Sequence, residues 1–456
     1  MNKLLLLAAT TLSCFSLANA EEIKKSPLAE VKALQESILP IKFIGVLDFE
    51  PITFIQNDAA DQNKSGFNQN FAIKTSGAIA AIFEKNLTET FKYGAKITLK
   101  TTTLPKSSSK FNGSHIYVKD TWGKVTLGCD YDAMASSSVT GLDAAVAKYG
   151  ASVYGVSNEV TENSKTVKIP VSPYYSFILD TTLRAGAFDE GSSTEPARKL
   201  VYYSPKLLDG GLKLVASYTP DSSNCGILKN ATKKIKYNQL KGANNTTATA
   251  TATDEVYGIP FVAINVFSGA VVYEKQINPD LAFQIGLSAE AGQAVQKYQT
   301  GKIDKSKSKS KTTWDDELED AKVNNIFSWN LGAKVTYNNL AFAASYADLG
   351  NAFGLDKTSD IFKLILEAEQ KLQDKKTTYL AASMGYTIGE YGVSVSAFKS
   401  DTKGAPFNFV ALGGDYKPST NLKFYGEIAY AWFNDGSDNA VKHNGTAISV
   451  GTVVNF

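Results

Sequence analysis

Over much of its length the chain writes apolar residues at every second position. Phe91, Tyr93, Ala95, Ile97 and Leu99 alternate with Lys92, Gly94, Lys96, Thr98 and Lys100. A helix would scatter those apolar residues around its axis, whereas a strand puts them on one face. Phe327, Trp329, Leu331, Ala333, Val335 and Tyr337 repeat the pattern, as do Leu281 to Leu287, Leu422 to Trp432 and Thr446 to Phe456. Such runs, about nine to thirteen residues long, exceed the usual soluble strand of about five or six. They match a tilted strand crossing a bilayer. Aromatic residues gather at their ends, at Phe91, Tyr93, Phe327, Trp329, Tyr337, Tyr430, Trp432 and Phe456. Membrane barrels place rings at both interfaces.

The connections test the same reading independently. Strands are predicted near 41–50, 70–84, 90–103, 114–120, 123–129, 198–204, 211–219, 260–275, 281–290, 325–337, 340–348, 377–388, 391–400, 406–416, 421–433 and 445–456. Short turns such as Thr121-Trp122, Asn338-Asn339 and Gly389-Glu390 alternate with long polar gaps, and only 401–405 breaks the rhythm. Short turns on one side and long loops on the other are the habit of outer-membrane barrels, which in single bacterial chains have an even strand count. The expectation is an all-β transmembrane antiparallel barrel of sixteen strands over 41–456. An eighteen-stranded version would use Tyr174 to Phe188 as membrane strand, and would put one long connection out of rhythm. KIDKSKSKSK at 302–311 and the Thr/Ala tract at 244–253 read as solvated loops.

The first forty residues differ from the rest. A basic start at Lys3, the apolar Leu4 to Leu17 and Ala18-Asn19-Ala20 form a secretory signal peptide over 1–20. Thr11-Leu12-Ser13 fits a lipid-anchor signal at Cys14 poorly. Residues 21–40 read as a short periplasmic segment, with Ser26-Pro27 opening a helix that carries Leu28, Val31, Leu34 and Ile38. After the signal, only Cys129 and Cys225 remain, which excludes a disulfide scaffold and leaves their pairing open. A formal charge of +2 gives no footprint for nucleic acid. Two histidines and scattered cysteines give no zinc spacing, so no metal or cofactor is expected.

Sixteen strands enclose an aqueous lumen, whereas eight fill theirs with side chains. Charge on a lipid face costs several kcal/mol near the midplane, so Lys92, Lys96 and Lys100 should face water. The 130–197 gap is the third long loop and contains the apolar Tyr174 to Leu179, which favours burial. We expect it to fold inward and narrow the lumen. Asp130, Asp132 and Asp143 would then stand on the loop side of a constriction, facing Lys92, Lys96, Lys100 and Arg198 on the wall. Opposed rings of charge tune ion choice.

Arg198-Lys-Leu-Val-Tyr-Tyr-Ser-Pro205 with Gly210-Gly-Leu-Lys-Leu-Val-Ala-Ser-Tyr-Thr-Pro220 resembles a hairpin of the Gram-negative general porins, the alphaproteobacterial type especially. Trp122-Gly123-Lys124-Val-Thr-Leu-Gly128 is similar to the hairpin before that family's constriction loop. Phe456 resembles its signal to the barrel-assembly machinery. The resemblance implies a homotrimer in outer-membrane lipid passing small hydrophilic solutes. This chain departs from the family in having arginine only at 184 and 198, so lysine would stand in at the constriction.

Two other readings compete. An outer-membrane hydrolase needs a histidine paired with serine or aspartate. Only His115 and His443 exist, and Ser114 and His115 are strand neighbours on opposite faces, so no enzyme is expected. A surface adhesin with a plugged lumen would instead make the long loops the working part.

Overall fold

The computed structural model describes residues 41–56, 71–102, 110–131, 133–147, 157–162, 165–170, 197–208, 210–221, 235–237, 252–258, 262–304, 311–314, 319–321, 324–351, 376–402, 405–434 and 442–456. The leader, the 21–40 segment, Asp132, Tyr174 to Leu179, Cys14 and Cys225 lie outside them. One compact unit, Lys42–Phe456, holds the barrel.

Sixteen long strands form it: β1 Ile41–Gln56, β2 Phe71–Asn86, β3 Lys92–Thr102, β4 Lys110–Asp120, β5 Gly123–Asp130, β6 Ala197–Tyr203, β7 Leu212–Asp221 and β8 Val262–Asn278. They continue as β9 Leu281–Asp304, β10 Ile326–Tyr337, β11 Leu340–Gly350, β12 Thr377–Ile388, β13 Tyr391–Thr402, β14 Ala405–Ser419, β15 Leu422–Asn434 and β16 Lys442–Asn455. Each pairs with its neighbour in the chain, and β1 pairs antiparallel with β16 from Val46↔Asn455 to Gln56↔Gly445. This last pairing closes the ring. Closure matters because an unpaired strand edge in lipid leaves backbone groups unsatisfied, at several kcal/mol each. The sixteen predicted strands are all present. Turns such as 338–339 are as short as expected, and Asn338 takes the positive φ of 50° that tight hairpins require.

The two faces divide as the alternation demands. On β10, Leu331 is 44% exposed while Asn330 and Ser328 are buried. On β13, Val393 and Val395 are exposed while Ser394 and Ser396 are buried. Ile97, Phe424 and Ile428 are likewise exposed. Every one of these apolar residues belongs to the outer face; the polar partners belong to the inner one. Aromatic side chains ring both ends of the outer face. Tyr391, Tyr416 and Phe424 stack at the short-turn end, with centroids 4.8 and 6.3 Å apart. Tyr218–Phe267 and Tyr430–Trp432 pack at the long-loop end, at 4.7 and 5.7 Å.

The long-loop side holds a departure from expectation. β9 runs 24 residues, roughly 80 Å at strand rise, far more than a hydrocarbon core needs. Its barrel pairing stops near Gly292 and Val295. Beyond that, it pairs with Ala252–Gly258, Lys311–Trp314 and Glu319–Ala321. Parts of both segments read as solvated loops are therefore strands. Their backbones find partners in the overlong β9, which composition alone did not reveal.

Candidate functional site

Alternation sets the positions of the charged side chains on the inner wall. On β3, Lys92 and Lys96 share a face with Gly94, which pairs with the buried Tyr117 of β4. Lys92 Nζ lies 3.7 Å from Glu84 Oε1, and the Tyr117 hydroxyl donates to Glu84 Oε2 at 2.9 Å. Lys96 stands opposite His115, whose Nδ1 is 3.5 Å from Asp130 Oδ2. Asp130 thus closes β5 on the same wall as the lysines, and does not sit across the lumen from them. Its Oδ1 accepts the Tyr131 N–H at 2.9 Å, so it fixes the point where the chain leaves the strand.

Arg198 does not join this group. It shares the outer face of β6 with the exposed Leu200 and Tyr202, whereas Lys199 is buried on the inner face, paired with Gly128. Parity decides between the two adjacent cations: once Leu200 and Tyr202 face outward, so must Arg198. Lys100 lies within β3, with its side chain outside the described residues. Asp143 lies after β5, exposed, with its carboxylate held by the Thr140 N–H at 2.9 Å and the Thr140 hydroxyl at 2.6 Å.

Residues 133–147, which follow β5, cross the inner wall from β7 to β15. A short helix, Ala133–Ser137, packs Ala133 against Val201, Val215 and Ala270, and the Ala133 N–H donates to Ser217 Oγ at 3.1 Å. The rest of this strap runs through turns at 141–144 and is hydrogen-bonded to side chains of successive strands. Ser138 and Ser288 share a hydroxyl–hydroxyl bond of 2.8 Å, and Asn330 Nδ2 donates to the Val139 carbonyl at 3.1 Å. The Gly141 N–H donates to Ser345 Oγ at 2.7 Å, while Ser383 Oγ donates to the Gly141 carbonyl at 2.6 Å. The Ala144 and Val146 N–H groups donate to Ser383 and Ser394 at 3.2 and 3.0 Å. Lys423 of β15 donates to the Val146 carbonyl at 2.6 Å, with Asp415 Oδ2 3.5 Å from its Nζ.

Wall glycines admit the strap. A Cβ at Gly332 would overlap the Val139 carbonyl oxygen, and one at Gly385 that of Ala144. A strap without neighbouring strands of its own must satisfy its backbone somewhere, and here the wall's serines and asparagine do so.

The sequence model of the Gram-negative porins matches residues 6–437. The chain belongs to the Gram-negative porin family. It is accordingly an outer-membrane β-barrel that crosses the membrane many times. An uncharacterized protein of Rickettsia typhi is 29% identical over 444 residues, covering 94% of this chain and 93% of its own. A second, from Rickettsia prowazekii, is 28% identical over 436 residues with the same coverage. These relatives agree with the alphaproteobacterial type. Among solved structures, Salmonella typhi OmpF in complex with daunomycin is 12% identical with a TM-score of 0.48, covering 91% of this chain and 97% of its own. The trimer form of Vibrio cholerae OmpT is 12% identical with a TM-score of 0.44, covering 91% and 99%.

In this porin, several wall residues escaped the sequence reading. Lys119 pairs with Lys92 on β3 and with Lys124 on β5. Lys124 Nζ lies 4.8 Å from the Tyr117 ring centroid and 5.4 Å from that of Tyr203. Counting by twos from His115 and Thr126 would have placed both lysines on the inner face. The serines that hold the strap carry no such signal, because serine is ordinary on any water-facing strand surface. Cys129 is disulfide-bonded, its partner lying outside the described residues.

Proposed function

We propose that the barrel is a water-filled channel through which small hydrophilic solutes and ions diffuse passively across the outer membrane, without catalysis. The observation that carries this reading is the closed ring of sixteen strands with a polar inner face, since rings of that size stay hollow. The strap 133–147 takes up part of that interior and narrows it. Lys92, Lys96 and Lys100 supply positive charge to the path, and Asp130 and Asp143 supply acceptors. Asp132 would add a third acceptor at the strap's start. Lys199 replaces Arg198 as the inward cation of β6. The chain works as a homotrimer, is exported by residues 1–20, and reaches the membrane through the barrel-assembly machinery by way of Phe456. Residues 21–40 remain on the periplasmic side.

Single-channel recording of the purified, unboiled oligomer in a planar bilayer tests this. We expect ohmic conductance with closures in three equal steps. A protein that inserts and carries no current would instead support the second reading, a surface-contact barrel with a plugged lumen. The observation in favour of that reading is the sheet that β9 extends on the long-loop side.

A further inference from the structure

We propose that Lys92, Lys119 and Lys124 form an anion-binding station at the short-turn rim of the barrel, for solutes bearing several phosphate charges. The proposal rests on the reading of the barrel as an open channel. Lys92 stands directly opposite Lys119, and Lys119 directly opposite Lys124. Register partners share a face, so all three ammonium-bearing side chains project inward from adjacent strands, with neighbouring Cβ atoms about 4.5–5.5 Å apart. Like charges directly opposite one another destabilise a sheet. A row of three is a cost the fold would shed unless a ligand's charge offsets it.

The acids around the row are few. Glu84 is 3.7 Å from Lys92, but its other oxygen takes the Tyr117 hydroxyl. Asp130 faces His115 one level further into the barrel, beside Lys96. Asp120 follows Lys119 on the opposite face, and its carboxylate accepts the Thr121 N–H at 2.7 Å. The fourth position of the row is Tyr203, and Lys124 lies against the ring faces of Tyr117 and Tyr203, with Asp130 and Glu84 acting on it by charge but no carboxylate paired with it among the described residues. An aromatic face attracts a cation without cancelling its charge, so Lys124 is steadied and stays available to an anion. Lys119 is exposed and next to the 121–122 turn, where it meets solutes at the mouth. Lysine ammonium groups bind phosphate as point charges, and rings of lysine favour anions and phosphates in pores. Three of them suit a ligand with phosphate groups spaced along a chain.

Inorganic tripolyphosphate is the probe. Added to the short-turn side of single channels carrying KCl current, it should interrupt that current, and at lower concentration than from the other side. In the K92Q/K119Q/K124Q variant the half-blocking concentration should rise at least tenfold, with K119Q alone giving a smaller rise. K399Q, on the outer face of β13, should leave the block unchanged. Wild-type current indifferent to tripolyphosphate, or equal block in the triple variant, overturns the station and leaves the channel reading intact. If the wild type carries no current, the channel reading fails. Calorimetric titration of the detergent-solubilised barrel with tripolyphosphate then decides the station: binding lost in the triple variant upholds it, and no binding to wild type overturns it.

Discussion

Removing three wall hydroxyls, in Ser345→Ala, Ser383→Ala and Ser394→Ala combined, should loosen the strap without unfolding the barrel. The variant deletes four hydrogen bonds to the strap backbone: those at Gly141 N–H, Gly141 carbonyl, Ala144 N–H and Val146 N–H, spanning 2.6 to 3.2 Å. At about 1 kcal/mol net each, anchoring falls by about 4 kcal/mol, which raises the undocked-to-docked ratio on the order of 10³-fold. The strand ladders do not involve serine side chains, so the barrel should still migrate as a folded species before heating. The contacts at Ser217, Ser288, Asn330 and Lys423 hold the strap's two ends, so its middle should bow away from the wall. Single-channel current at fixed voltage reads this as added noise and new conductance levels absent from wild type. Ser396→Ala is the control, being a buried inner-face serine on β13. A triple variant that folds and conducts with wild-type level and noise would refute the idea that these hydroxyls moor the strap.

Adding bulk at the same wall should disturb the strap by a different route. Gly332→Val with Gly385→Val places side-chain carbons on strap carbonyl oxygens; the unitary conductance should change, and an unchanged value would mean the strap does not lie against those strands. Lys92, Lys96 and Lys100 replaced together by glutamate should shift permeation toward cations, read as reversal potential in a KCl gradient; no shift would remove these side chains from the path. Leu412→Arg, at a position 62% exposed on the outer face of β14, should cost about 2–4 kcal/mol if it lies at the bilayer midplane. Urea titration of refolding into vesicles measures it, and a loss under about 0.5 kcal/mol would contradict the lipid-facing assignment.

The barrel was legible because its physics is local. Lipid outside and water inside force a period of two on every strand, and the turn and loop lengths fix which ends meet. The sequence of β12, Thr377 to Ile388, yields its limits to the residue. What lay hidden depended on long-range partners. Nothing near Gly301 to Asp304 announces a strand, since its partners are Ala252–Gly258 and Lys311–Trp314. Ala133 to Ala147 shows no periodicity, as its backbone is satisfied by serines 84 to 248 residues away. Arg198 was a different kind of miss. Its neighbours Leu200 and Tyr202 already carry the parity that turns Arg198 outward, which its charge alone does not show. Asp130 belongs to the wall because β5 runs one residue past the predicted limit at 129.

Most bonds that hold the strap join its peptide groups to side chains of the barrel. The strap's buried Met134, Val139 and Leu142 add packing to those bonds, while Asp143 is exposed and takes no part in the docking. Selection can exchange the exposed Asp143, altering what the channel admits, while the serines and asparagine that hold the strap's backbone stay encoded on the strands of the wall. Changes in permeability need not be matched by changes in architecture.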